Sequence, residues 1–130
     1  MNNVLFGAAV MVCGATAALV RYAVTILAVR AGHNSLTTGY PYPVLIVNAV
    51  GSLIAGLAIG AASAGVIPSS LQTLLVTGVA GGLTTFSTFS VETLQLLMRG
   101  RYKTAVSSVV VNLAVGLALA AVGYTVGRSA

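Results

Sequence analysis

GGLTTFSTFS, residues 81–90, lies inside a long apolar run and does not look like its surroundings. Two adjacent glycines, five hydroxyl side chains and two phenylalanines stand together, flanked on both sides by sequence that is mostly Ala, Val, Leu and Gly. Gly81 and Gly82 weaken a helix, each by about 1 kcal/mol relative to Ala. The neighbouring Ser and Thr offer the backbone competing hydrogen bonds. The stretch therefore predicts an interruption, and the sequence around it decides what an interruption there would mean.

That surrounding sequence is 58% hydrophobic and 5% charged over 130 residues, without Trp. Soluble domains are about 25% charged, so the composition predicts an integral membrane protein. Crossing about 30 Å of hydrocarbon takes about 20 apolar helical residues, and four stretches qualify: 4–29, 44–63, 71–98 and 103–126. Their connections, 30–39, 64–70 and 99–101, are short and polar. The expected fold is one all-α domain over residues 1–130, with four transmembrane helices and the third broken near mid-membrane. Ala15-Thr16-Ala17 has the small-x-small look of a cleavage site. No basic residue precedes it and the apolar stretch resumes after Arg21, so the first segment is expected to stay.

With four spans, both termini share a side. Arg30, Arg99, Arg101 and Lys103 fall opposite them and Arg128 falls with them, which by the positive-inside rule puts the termini outside. So small a bias also suits insertion in both orientations. The net charge of +5 is spread over segment ends, so no basic nucleic-acid surface is expected. Cys13 has no second cysteine to pair with, and His33 sits in a loop with no evident role.

Counted from Leu71, residues 81 to 84 lie roughly 15–20 Å deep, at the bilayer midplane. Irregular backbone at that depth survives only where protein, an ion or a cavity satisfies it, as at the unwound ion sites of transporters. The plainer alternative is that Gly78, Gly81 and Gly82 allow close helix packing, as Gly56 with Gly60 and Gly123 with Gly127 would. Thr84, Thr85, Ser87, Thr88 and Ser90 weigh against packing as the whole explanation. Phe86 and Phe89, three apart, share a helix face. They are either lipid-facing or core aromatics, or rings whose positive edges line a path for an anion.

Other polar residues fall within the spans. Asn48 shares a face with Gly51 and Ser52, and Ser108, Asn112 and Gly116 form a stripe at intervals of four. Amides and hydroxyls can replace water around an anion without trapping it by full charge. The same groups also make ordinary interhelical hydrogen bonds, worth about 0.6 kcal/mol on average. Glu92 is the sole acidic residue, and buried charge in a membrane points to function. Arg21 lies about 12 Å from its helix end and either snorkels to the interface or draws anions inward. No nucleophile with a base, paired carboxylates or His/Cys cluster appears, so the chain is not read as an enzyme.

GGLTTFSTFSVE, with NAVGS at residues 48–52 and GATAALVRY at residues 14–22, closely resembles the CrcB/Fluc family of fluoride channels across all four helices. The resemblance implies a homodimer of oppositely oriented subunits in a bacterial inner membrane, with two fluoride pathways and a structural Na⁺ on the two-fold axis. Backbone carbonyls at Gly81 and Thr84 would hold the Na⁺. Phe86 and Phe89 match the pore aromatics and Asn48 the amide donor. Thr85, Ser87 and Thr88 fall in the polar segment, Ser108 and Asn112 on the fourth-helix track, and Glu92 and Arg21 towards the pore mouth. The fourth helix departs from the pattern: relatives often carry hydroxyls where this chain has Asn112 and Gly116. Pairing with an oppositely oriented paralogue is the other assembly left open.

A small dual-topology, proton-coupled exporter of cationic drugs is the competing reading by size and charge bias. Such a pump needs an intramembrane carboxylate, usually in the first helix. Here that helix holds Arg21, Glu92 is the sole candidate, and Trp, the best cation-binding aromatic, is missing. A purely structural helical subunit would explain the small residues and leave the hydroxyl-rich break unaccounted for.

Overall fold

The computed structural model describes residues 2–32 and 39–130; His33 and most of the first loop lie outside the described residues. All regular structure among the described residues is helical: α1 (Asn3–Arg30), α2 (Tyr42–Ser63), α3 (Ser69–Thr73), a π-helix π1 (Leu74–Ala80), α4 (Gly81–Leu83), α5 (Phe86–Met98) and α6 (Tyr102–Ser129). Four helical segments are long and apolar enough to cross a membrane: α1, α2, the run Ser69–Met98 and α6. The third has the lowest mean hydropathy, 1.4 against 2.0–2.2 for the others, because of the polar stretch at its centre.

Each span starts one or two residues before its sequence-predicted bound, and the second and third end where the sequence predicts. In α2 the helix takes in Tyr42 and Pro43, since proline in a first turn lacks only an N–H that would be unbonded anyway. Two glycines set the sharp reversals. At Gly65 (φ 75°) the Val66 N–H donates to the Ala61 carbonyl, and at Gly100 (φ 71°) the Arg101 N–H donates to the Leu96 carbonyl. Both are six-residue closures around a left-handed residue.

Small residues decide the packing. A methyl at Gly56 or Gly60 would land on the Ala120 or Tyr124 carbonyl of α6. One at Gly123 or Gly127 would land on the Leu53 or Leu57 carbonyl of α2. Positions rise together on both helices, so α2 and α6 run parallel with their backbones nearly touching, as membrane helices pair through small residues. The same logic joins the first and third spans. Gly78 faces Val10 and Cys13, and Gly82 abuts Gly14 and Ala17. Ala17, Val47 and Leu83 form a small core where the first three spans meet.

The break differs from its sequence-stretch expectation in position. Gly81 and Gly82 are still helical, and the backbone turns extended at Thr84 (φ −74°, ψ 157°) and Thr85 (φ −147°, ψ 118°). Gly82 is a packing glycine and Gly78 another. Gly81 is exposed, and a methyl there would meet only the Val76 carbonyl of its own span, at 3.5 Å. Ahead of the break the chain winds as a π-helix, a rare form found mostly near functional sites.

Candidate functional site

Two consecutive extended residues release the helical partners on both sides of the break. The carbonyls at the end of α4 and the first N–H groups of α5 lose their usual bonds, at a depth where lipid offers none. Three other elements supply replacements. Asn48 of α2 accepts the Thr85 N–H on Oδ1 at 2.9 Å. Arg21 of α1 donates Nη1–H to the Thr84 carbonyl at 2.9 Å. Thr85 caps α5 itself, its Oγ1 accepting the Thr88 N–H at 3.1 Å and donating to Thr88 Oγ1 at 3.0 Å. Ser87 Oγ lies 3.3 Å from the same hydroxyl. Thr84 fills the space left by Gly51 and donates its own hydroxyl to the Ala80 carbonyl at 2.9 Å.

Arg21 therefore does not snorkel. Its guanidinium turns inward to the break, and a charge-assisted bond to a carbonyl stripped of its helical donor is worth about 1.5–3 kcal/mol. Arg21→Ala is expected to lose stability of about that size, and Arg21→Lys less of it. Thermal or denaturant unfolding in detergent checks both. An unchanged midpoint for Arg21→Ala would show that the bond contributes nothing.

Beside the break opens a cavity of about 410 Å³ whose polar walls are Asn48, Ser52, Thr84, Thr85 and Asn112 and whose aromatic wall is Phe86 and Phe89. The two rings stand 6.1 Å apart and tilted by 43°. Phe89 is half-buried, and Phe86 projects outward, 80% exposed. On the other side of Thr85 lies a second cavity of about 230 Å³, bordered by Arg21, Tyr22, Thr25 and Thr88. Thr85 borders both, so the capped break forms the partition between a chamber with the arginine and a chamber with the phenylalanines. The N-terminal end of α5 and Arg21 give this region a positive potential.

The structure brings together most, not all, of the residues singled out in the sequence. Asn48, Thr85, Phe86, Phe89 and Asn112 line the first chamber, and Arg21 and Thr88 the second. Ser87 lies at the start of α5 outside both linings, and half-buried Glu92 stands further along α5, also outside them. Ser108 is fully buried in α6, one turn before Asn112. Ser52 is a lining residue that the site assignment passed over. It follows Asn48 by one helical turn, and a methyl at Gly116 would stand 3.4 Å from its hydroxyl. Ser52 of α2 and Gly116 of α6 thus stand side by side on the chamber wall. Several other intramembrane hydroxyls, including Thr25, Ser90 and Thr93, simply donate to carbonyls of their own helices.

Among the described residues no group of three His, Cys, Asp or Glu could hold a metal ion. At the Gly81 carbonyl, the Thr85 N–H that would bond it in a continuous helix is taken by Asn48. The Thr84 carbonyl has a second lone pair beyond the one Arg21 uses.

The family described as CrcB-like protein, Camphor Resistance (CrcB), matches residues 8–124 of this chain. Three bacterial proteins, each named fluoride-specific ion channel FluC, are similar along nearly their whole length. The Shewanella amazonensis protein is 41% identical over 123 residues, 95% of this chain and 94% of that protein. The Thermus thermophilus protein is 39% identical over 114 residues, 88% of each. The Clostridium perfringens protein is 32% identical over 129 residues, 98% of each.

Proposed function

This chain belongs to the CrcB family, and we propose that it forms a passive fluoride-selective channel in a bacterial cell membrane, through which fluoride leaves the cytoplasm. The observation that carries the reading is the chamber beside the break, where amide and hydroxyl groups face two aromatic rings with no carboxylate in the lining. Fluoride is small and strongly hydrated, so it enters a narrow passage only if many donors replace its water. Arg21 attracts the anion to the break without standing in the aromatic chamber. The ring edges of Phe86 and Phe89, positive in their quadrupole, stabilise it without a full charge that would hold it. Selectivity then follows from pore size and donor arrangement.

The working unit of the proposal is a homodimer of oppositely oriented copies, each bordering a pathway. Phe86, with four-fifths of its surface bare, and Gly81, exposed near mid-span without a packing reason to be glycine, support a second copy on this face. Carbonyls of Gly81 and Thr84 from the two copies would together hold a central Na⁺, whose charge in a low-dielectric interior adds strongly to the attraction for anions. Lipid covers the remaining apolar surface.

Passive ion efflux from liposomes containing the purified chain tests the reading. Fluoride should leave while chloride stays, and exhaustive replacement of Na⁺ by a large organic cation should remove the flux. Folded protein that passes no fluoride in Na⁺ would reject the self-sufficient homodimer. Flux indifferent to Na⁺ would reject the central cation alone.

A further inference from the structure

The peptide unit joining Thr84 to Thr85 is held from two sides. Its carbonyl accepts from Arg21 of α1 and its N–H donates to Asn48 Oδ1 of α2, each at 2.9 Å. Neither bond touches the side chain of Thr84, the residue at which the backbone leaves the helix. The Thr84 N–H still donates to the Ala80 carbonyl at 2.9 Å, while its ψ of 157° is already extended. Whatever seats Thr84 therefore sets where the break begins.

Two contacts do so. The Thr84 hydroxyl donates to the Ala80 carbonyl at 2.9 Å, and the Thr84 methyl, Cγ2, occupies the place where a Cβ at Gly51 would stand. Both groups hang on one Cβ, so a rotation that frees the methyl also swings the hydroxyl off its acceptor. Gly51 is buried and lies three residues after Asn48, which puts the socket and the amide on one face of α2. This socket differs from the other tight glycines of the helix. Gly56 and Gly60 meet carbonyls of α6, which no substitution can shorten, whereas Gly51 meets a side-chain methyl.

Resting on the channel reading above, we propose that Gly51 is a positioning residue for the pore. Its missing side chain is the socket that seats Thr84, and the seated Thr84 holds the Thr85 partition between the two chambers. A methyl at Gly51 leaves Thr84 two ways out. It rotates and gives up the Ala80 bond, or it moves away from α2 and draws the Thr85 N–H off Asn48. Either movement loosens the partition.

A size-swap pair tests this in the liposome efflux assay. Gly51→Ala should lower fluoride flux about 5-fold or more, the worth of one intramolecular hydrogen bond. Thr84→Ser keeps the hydroxyl and removes only the methyl, so adding it to Gly51→Ala should raise flux again, the two changes coupling rather than multiplying. Thr84→Val, which keeps the bulk and removes the hydroxyl, should give no such rescue. Wild-type flux in Gly51→Ala, or no rescue by serine, would overturn the proposal and leave the channel reading intact. Amide hydrogen exchange at Thr85 gives a readout independent of transport. It should be faster than wild type in Gly51→Ala and in Thr84→Ser, and unchanged exchange in both would overturn the proposal. Should Gly51→Ala fail to fold, Thr84→Ser alone carries the exchange test. A wild-type protein without fluoride flux would overturn the channel reading, and the exchange rates would still decide the socket.

Discussion

Fluoride flux should fall at least about 100-fold when either Phe86 or Phe89 is replaced by isoleucine, an added barrier of about 2.7 kcal/mol. Isoleucine keeps the surface apolar and fills much of the same volume, so the change isolates the ring's charge distribution. An aliphatic wall has no positive edge to offer, and a dehydrated anion beside hydrocarbon is strongly disfavoured. The fold should persist. Phe86 is four-fifths exposed on the chain, and neither ring belongs to the small core formed by Ala17, Val47 and Leu83. The measurement is efflux from liposomes, with elution volume and helicity as controls for folding. Wild-type flux in both variants would show that the rings are not part of the path and would return them to the role of membrane-facing aromatics.

Gly56→Leu should leave little folded protein, whereas Gly7→Leu should behave as wild type. A side chain at Gly56 would run into the carbonyl and backbone carbons of Ala120, and backbone cannot rotate aside as a flexible side chain can. Separating α2 from α6 also pulls apart the Gly123 and Gly127 contacts and the Asn48–Asn112 bond. Overpacking commonly costs about 1–3 kcal/mol and sometimes more, and here the clash is with backbone. Gly7 has nothing within 4 Å of an added methyl. Yields and thermal melts of the two variants in the same detergent give the comparison. Equal stability would mean that α2 and α6 need no close approach.

Much of the architecture was legible because it depends on quantities that add along the chain. Hydropathy located four spans to within a few residues, and the dilution of that hydropathy by residues 84–90 located the weak point of the third. Gly56, Gly60, Gly123 and Gly127 were readable as packing positions, since small residues in a membrane helix have few other uses. Phe86, Phe89, Asn48, Thr85 and Asn112 were legible as candidates because polar or aromatic side chains at mid-span stand out against Ala, Val and Leu. Ser52 was harder to single out, since its place depends on Gly116 of another helix.

By itself, the sequence determined that this is a four-span membrane protein with a polar interruption at the centre of its third span. Composition and period are local properties, and the bilayer converts them directly into spans. Only the tertiary structure decided where the backbone leaves the helix and what each polar group does there. The glycines make the third span easy to interrupt. The break itself sits at Thr84 and Thr85, because Arg21, 63 residues earlier, takes one carbonyl and Asn48, 37 residues earlier, takes one N–H. Asn112 receives the Asn48 amide across 64 residues of sequence. A hydrogen-bond donor is present in the sequence, but whether it is spent depends on which acceptor the fold brings within about 3 Å.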